Sequence, residues 1–404
     1  MKPTRSKTSR AELRVVENEP SETGPSEAAP ANPQPEQAKP AKPVRPRRLR
    51  ANALHLKPLG EQVVVVTGAT SGVGLATARA AAARGAKLVL TARSAEALNA
   101  VAADLTSKGA QVAILAADVA DRDALQAVAD LAVERFGGFD TWVNNAGVAI
   151  FGALAKTPIE DQKRLFDTNY WGVVNGSLIA AEHLRHRPGG GALINVGSVL
   201  GDVALPPQGA YAASKHAVKG FTQALRLELM GQRAPVSVSL IKPSALDTPY
   251  KDHARNLTGM AVRNPPPVYG ASLAAQAILY AAEHRVRELT VGGGGEAIAL
   301  AAAVAPFLVE PLLALAAPAL SRDASGRRRS LTDNLYAPDH DLRERSFQRQ
   351  VRETSLATAA QMRPATTLAL AALAGLAASL AFRLGAGQAR RARDADEADP
   401  ADAA

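Results

Sequence analysis

Tyr211 and Lys215 stand four residues apart, and their types and spacing suit proton chemistry. On a helix that spacing puts both side chains on one face. A free phenol titrates at about pH 10, too high to exchange protons readily near neutrality. A nearby ammonium favours the phenolate and lowers that pKa toward the working pH, as a general acid–base catalyst requires. Ser198, thirteen residues before Tyr211, offers a hydroxyl to a substrate carbonyl or alcohol. Asn169 offers an amide that can hold a water between Lys215 and solvent. Each has a plainer reading: Tyr/Lys pairs on helix faces are commonplace, and a serine after a strand often only shapes a turn.

A second group of residues suits a dinucleotide. Thr67-Gly68-Ala69-Thr70-Ser71-Gly72-Val73-Gly74 lies between an apolar run and an Ala-rich helical stretch. Glycines there let the backbone turn tightly and approach a diphosphate, while the helix N-terminus offers free N–H groups. Packing alone also explains such a turn. The next apolar run ends Thr91-Ala92-Arg93, without the acid that usually bonds the adenosine ribose of NAD. Arg93 suits the 2′-phosphate of NADP instead, which makes NADP(H) the expected cofactor and NAD the lesser choice. A surface arginine opening the next helix is the bland alternative. Asp118-Val119 closes the third run, where the acid either accepts from an adenine amino group or caps a helix. Asn144-Asn145-Ala146-Gly147 closes the fourth, with two amides suited to contacting a cofactor and bracing a sheet.

The elements that must position these groups alternate regularly. Strands are expected at Val63–Val66, Lys87–Ala92, Val112–Val119, Thr141–Asn144, Ala192–Val196, Val236–Ile241 and Leu289–Val291. Helices fall between them: from the Gly-rich turn to Gly85, then Ala95–Leu105, Asp121–Phe136, one long stretch Glu160–His186, and Tyr211–Met230. Strand–helix alternation of this kind predicts an α/β fold, a Rossmann-like doubly wound parallel sheet of seven strands with a helical C-terminal extension.

Outside residues 56–295 the character changes. Residues 1–55 are basic and Pro-rich, too poor in apolar groups to offset their ordering entropy, and are expected to be disordered. Residues 296–330 form an apolar stretch, broken by Pro306, Pro311 and Pro318, that reads as a lip over the site plus a linker. Residues 331–404 form a charged extension containing the uncharged run 365–382, about long enough for a membrane anchor. A net charge of +9 sits largely in the tails, including Arg327–Arg329, and does not point to specific nucleic-acid binding. With no cysteine, disulfides, thiol nucleophiles and thiolate metal sites are excluded, and no metal is expected. The first residues lack the apolar core of a secretory signal, so a cytoplasmic location is expected, with membrane contact through the C-terminus.

Taken together, Thr67–Gly74, Asn144–Gly147 and Tyr211-Ala-Ala-Ser214-Lys215 resemble the TGxxxGxG, NNAG and YxxxK motifs of the short-chain dehydrogenase/reductases. Asn169 and Ser198 fall where that family places its remaining catalytic positions, and the resemblance spans Gln62 to Val291. It implies hydride transfer between a nicotinamide and a carbonyl or alcohol carbon. Tyr211 would be the acid/base, Lys215 would also hold the nicotinamide ribose, Ser198 would orient the substrate and Asn169 would complete a proton relay. Gly68, Thr70, Ser71, Gly72, Val73, Gly74, Arg93, Asp118, Val119, Asn145, Ala146, Gly147, Pro243 and Thr248 would join Tyr211 and Lys215 around the cofactor, with Thr248 on the carboxamide. One departure is Ser244, where the family has glycine after Pro243; a serine resists positive φ and predicts a shifted loop. Val203, Leu205, Pro206, Pro207 and Tyr250 suggest an apolar substrate pocket, or simply loop packing. Epimerase or dehydratase chemistry also fits the motifs. The alternative outside enzymology is a catalytically idle NADP-binding sensor or scaffold at a membrane. Family habit adds homo-oligomers built through the helices of Glu160–His186 and Tyr211–Met230.

Overall fold

The computed structural model describes residues 53–323, 333–338, 342–346 and, with gaps, 348–379, all within the unit Leu49–Ala404. Residues 1–52 of the expected tail, Arg327–Arg329 and most of the apolar run 365–382 lie outside the described residues. Described chain begins at residue 53, inside the tail expected to run to 55. The His55 N–H donates to the Gly189 carbonyl at 2.8 Å, and Lys57 pairs with Asp140 at 2.8 Å.

Seven strands form the main sheet: β1 (Val63–Thr67), β2 (Lys87–Ala92), β3 (Val112–Ala116), β4 (Thr141–Asn144), β5 (Gly191–Val196), β6 (Val236–Pro243) and β7 (Glu288–Val291). Their order is β7-β6-β5-β4-β1-β2-β3 and every pairing is parallel. Sheets of this kind are covered on both faces, which is why β1 reads as an unbroken apolar run. Val64 and Val66 face one core, against α1 (Gly72–Ala83) and α2 (Ala95–Ser107). Val63 and Val65 face the other, against α3 (Arg122–Phe136). Asp121 caps α3 by accepting from the Asp123 and Ala124 N–H groups. β3 is shorter than expected, leaving Asp118 and Val119 in the loop beyond it.

The stretch expected as one helix is two, α4 (Ile159–Phe166) and α5 (Gly172–His186), joined by a π turn at Asp167–Trp171. Such turns recur at functional sites, and this one carries Asn169. α6 (Gly209–Gly231) carries Tyr211 and Lys215, and α7 (Ala271–Glu283) packs on α1. The expected apolar lip is two successive helices, α8 (Gly293–Val304) and α9 (Pro306–Leu320), broken where Pro306 starts the second. Leu300, Val304, Phe307, Leu312 and Leu315 stand exposed on it.

Beyond the lip, the described chain folds back on the domain. Val351–Arg352 pairs in parallel with Val268–Gly270, which pairs in turn with Leu246–Asp247. The helix α10 (Leu356–Met362) packs along β7, where Thr358 Oγ1 accepts from the Gly292 N–H at 2.9 Å. Among the described residues no helix is long and apolar enough to cross a membrane.

Candidate active site

The sheet order reverses between β1 and β4, and open α/β sheets place their ligand crevice at such a point, beyond the carboxyl ends of the strands. A cavity of about 370 Å³ lies there. Of the catalytic and cofactor-binding residues that the family resemblance implies, all but Gly74 and Asn169 line its walls.

At one end the Gly-rich loop leaves β1. Gly68 and Gly72 have φ of +64° and +53°, conformations that disfavour other residues. Gly74 has a packing role: a Cβ there would lie 2.0 Å from the Gly68 carbonyl oxygen. Thr67 Oγ1 accepts from the Asn145 and Ala146 N–H groups at 2.9 and 3.0 Å, stitching the β1 and β4 loops together. Asn145 Nδ2 donates back to the Thr67 and Gly68 carbonyls. Asn144 is buried within the sheet, accepting from Trp142 Nε1 at 2.8 Å and donating to Asn195 Oδ1 at 2.8 Å. The two amides thus divide the work of bracing the sheet and shaping the loop.

Arg93 sits at the mouth, but its guanidinium is occupied. It donates to the carbonyls of Asn334, Leu335, Tyr336 and Ala337. Burial lowers its pKa, with Asp118 opposing and Arg164 adding to the shift. Asp118 does not cap a helix; it accepts from the Ala120 N–H at 3.0 Å and pairs with Arg164. Arg164 is a second basic group beside the mouth that sequence gave no reason to select, because α4 brings it in from another part of the chain.

At the inner end stand Ser198, Tyr211 and Lys215. Ser198 Oγ accepts from the Leu200 N–H at 3.1 Å and lies beside the Tyr211 phenol. Lys215 Nζ donates to the Val196 carbonyl at 2.9 Å and lies 5.7 Å from the Tyr211 ring centre. Asn169 is fully buried, with Oδ1 accepting from the Val148 N–H at 2.8 Å and Nδ2 donating to the Val148 carbonyl and Ser214 Oγ. Its amide therefore anchors the loop after β4, and it reaches Lys215 only across Gly147, whose Cβ would lie 3.4 Å from Asn169 Oδ1 and 3.9 Å from Lys215 Nζ.

The electrostatics differ from the expected lowering of the tyrosine. Burial pushes the Tyr211 phenol up to about 12, against hydrogen bonds from Ser198 and Tyr250 that favour its phenolate. Burial also draws Lys215 down to about 8. Desolvation disfavours both charged forms, and at Tyr211 it outweighs what Ser198 and Tyr250 contribute.

Two further residues join the cluster. Tyr250 meets the Tyr211 ring edge-on with centres 5.4 Å apart, and its own hydroxyl accepts from Gln208 Nε2 at 2.8 Å. Sequence placed Tyr250 only in an apolar pocket, since residue type does not show where a hydroxyl points. Leu205 and Val203 line the cavity, as do Ile298, Leu313 and Ala317 of the lip, while Pro206 and Pro207 do not. The loop after β6 is not strained by Ser244. That residue avoids positive φ, its N–H donates to the Val291 carbonyl at 2.9 Å, and its Oγ donates to the Gly292 carbonyl at 2.7 Å.

This geometry has relatives. Residues 62–257 match the family model of the short chain dehydrogenases. The uncharacterized oxidoreductase YxnA of Bacillus subtilis is 45% identical over 261 residues, covering 64% of this chain and 73% of the relative. A short chain dehydrogenase/reductase from Burkholderia phymatum, solved in complex with NAD, superposes with a TM-score of 0.56 at 28% identity, covering 62% of this chain and 96% of that one. An alcohol dehydrogenase from Thermococcus sibiricus, complexed with 5-hydroxy-NADP, gives 0.50 at 26% identity, covering 57% and 95%.

Proposed function

This chain belongs to the short-chain dehydrogenase/reductase family of NAD(P)-dependent oxidoreductases, and from that premise we propose that it uses NADP(H) to interconvert a carbonyl and an alcohol on an apolar small molecule. The observation that carries the reading is convergence: Ser198, Tyr211 and Lys215 open onto the same cavity as the Gly-rich loop. The residues fit a dinucleotide. Glycines at positive φ and the N-terminus of α1 would hold its diphosphate, Asp118 and Val119 the adenine, Lys215 the nicotinamide ribose and Thr248 the carboxamide. Arg93 would take the 2′-phosphate, with no acid near the end of β2 to favour a ribose hydroxyl.

When bound, the cofactor supplies or accepts the hydride. Everything else falls to this chain. Ser198 orients the substrate oxygen. Tyr211 lines the cavity with Ser198 and Tyr250 beside its phenol, and its phenolic proton is the one at hand for the substrate. In reduction Tyr211 gives that proton to the nascent alkoxide, and in oxidation it takes the alcohol proton. Lys215 favours the resulting phenolate electrostatically. The apolar walls from Val203, Leu205, Ile298 and Leu313 exclude water and support a lipophilic substrate.

NADPH oxidation over a panel of ketones and aldehydes tests the reading. Turnover that Tyr211→Phe abolishes supports it; NADPH binding without turnover on any compound would point to an idle binding protein. Arg93→Ala should weaken NADPH more than NADH, and equal losses would remove the case for NADP.

Assembly and location extend the proposal. Ile159, Trp171, Leu178, Leu227 and Met230 are exposed on or beside α4, α5 and α6, which supports a homo-oligomer through those faces. Gel filtration of Leu227→Lys should show a smaller species. The proposal extends to a cytoplasmic enzyme that touches a membrane through residues 365–382. A chain ending at Gln361 should leave the membrane fraction, and a wholly soluble full-length protein would refute that contact.

A further inference from the structure

We infer that Tyr250, held by Gln208, is a positioning residue that tunes the proton affinity of Tyr211. The inference rests on the proposed acid/base role of Tyr211. The two rings meet edge-on with centres 5.4 Å apart, and both line the cavity. Gln208 Nε2 donates to the Tyr250 oxygen at 2.8 Å, so the Tyr250 proton is free to be directed at Tyr211. A donor fixed on this oxygen strengthens as negative charge develops there. The ionisable groups facing Tyr211 are few. Lys215 comes from its own helix and Tyr250 from the turn Tyr250–His253, where Lys251 and Asp252 pair with each other at 3.0 Å. His253 of the same turn lines the cavity, Ser198 adds a neutral donor, and Leu335 packs on the ring from the C-terminal side.

Tyr250→Phe keeps the ring and removes the donor. In alcohol oxidation, the rising limb of kcat against pH should move upward by about one unit, equivalent to a tenfold loss of acidity. Gln208→Leu should move it the same way by less. An unmoved limb, with any loss confined to KM or to stability, overturns the inference. A panel on which neither wild type nor variant turns over defeats the proposed function itself, and the inference with it.

A separate observation carries a second inference: the geometry points to residues 333–338 and 342–346 as an internal competitor for the cofactor's phosphate-binding donors. Four consecutive backbone carbonyls, Asn334 to Ala337, take the Arg93 guanidinium, and Leu335 also accepts from Arg164 Nε at 3.1 Å. Further on, the Arg343 carbonyl accepts from the Gly72 N–H at 2.9 Å, at the N-terminus of α1. These are the donors proposed above for the 2′-phosphate and the diphosphate. The one Gly72 N–H cannot serve a phosphate oxygen and the Arg343 carbonyl together, and at Arg93 a phosphate must compete with the carbonyls for Nη1 and Nη2. The segment is seated by real contacts. Leu335 is fully buried against Val148, Ile150 and Leu165, Tyr336 Oη donates to Asp161 at 2.9 Å, and Asp333 meets Arg255 at 3.3 Å. Ser346 is pinned by Asp247, which accepts from its N–H and its hydroxyl at 3.2 and 2.8 Å.

A segment seated about nine-tenths of the time raises the apparent dissociation constant about tenfold. Tyr336→Phe combined with Asp333→Ala loosens the segment without touching the core, and Leu335→Asp unseats it more severely. Fluorescence titration should show NADPH binding up to about tenfold tighter in Leu335→Asp and by less in the double variant, and NADPH added to wild type should speed amide exchange across 333–338 and 342–346. Unchanged or weaker affinity, or slower exchange on binding, overturns the inference. If the variants bind NADH and NADPH equally well and more tightly than wild type, competition stands and only the NADP preference falls. If neither cofactor binds any of the proteins, the proposed function fails first and this inference with it.

Discussion

Lys215→Met should stabilise the protein without cofactor while destroying its activity. Lys215 is only 4% exposed, and burial brings its pKa from 10.5 to about 8. Each tenfold loss of proton affinity corresponds to about 1.4 kcal/mol, so keeping this side chain folded and charged at neutral pH costs about 3 kcal/mol. Methionine fills similar space without charge. The substitution also deprives the Val196 carbonyl of its 2.9 Å partner, a loss of about 1 kcal/mol. The net gain is about 2 kcal/mol, or a rise in Tm of about 4–8 °C for a domain of this size. The pH dependence follows from the sign of the shift. The folded pKa lies below the unfolded one, so the wild-type penalty is fully present below about pH 8, fades as pH rises toward 10.5, and is absent above it. Urea unfolding of both proteins at pH 7 and pH 10 is the assay, and the gap between their midpoints should be largest at pH 7. A variant less stable than wild type at pH 7, or a gap that does not shrink by pH 10, would refute the reasoning. A buried charge held against stability is what a site shaped for chemistry contains.

Three further outcomes are expected. Tyr211→Phe should lower kcat by about a hundredfold or more while leaving NADPH titration unchanged, since the cavity keeps its shape and loses one proton. Gly74→Ala would place a Cβ 2.0 Å from the Gly68 carbonyl oxygen, so the loop must move; NADPH binding should be lost, with about 1–3 kcal/mol of stability by urea unfolding. Asp140→Asn should cost about 3 kcal/mol, because this buried carboxylate meets Arg187 at 2.6 Å, Lys57 at 2.8 Å and the Val63 N–H at 2.9 Å. Burial alone would raise the Asp140 pKa, but these bonds more than offset it and hold it below the usual carboxylate value. Its contribution is therefore complete above the ordinary aspartate pKa of about 3.9 and fades as pH falls through the folded value, an acid-labile component that the asparagine variant should lack.

The parallel strands were legible because burial on both faces demands the apolar runs that Val63–Val66 and Lys87–Ala92 display. Gly85 and Gly137 take φ of +83° and +74° after α1 and α3, a helix-stop signal that composition alone carries. The π turn at Asp167–Trp171 was not legible, since an i→i+5 bond leaves no periodic signature in so short a segment. Nor was the rise in the Tyr211 pKa, which depends on how completely neighbouring elements exclude water and not on the lysine one turn away.

Arg93 shows where reading residue types stops. An arginine at the end of β2 with no acid beside it invites a phosphate, and that inference treats the guanidinium as free to answer. In the folded chain it is bound by carbonyls of residues 334–337. Every residue except proline donates an N–H and every residue offers a carbonyl, so a backbone occupant writes nothing into the pattern of side chains that would announce it. Only the side chains that seat the segment leave a trace: Leu335 in an apolar niche, Tyr336 and Asp333 on charged partners. The same four carbonyls also limit what Arg93 can imply about selectivity. If either cofactor must displace them, the displacement weakens NADPH and NADH alike, and preference survives only in what the guanidinium gains afterwards. On that proposal cofactor affinity and cofactor choice would be set by different parts of the chain, the first by residues 333–338 and 342–346 and the second by Arg93.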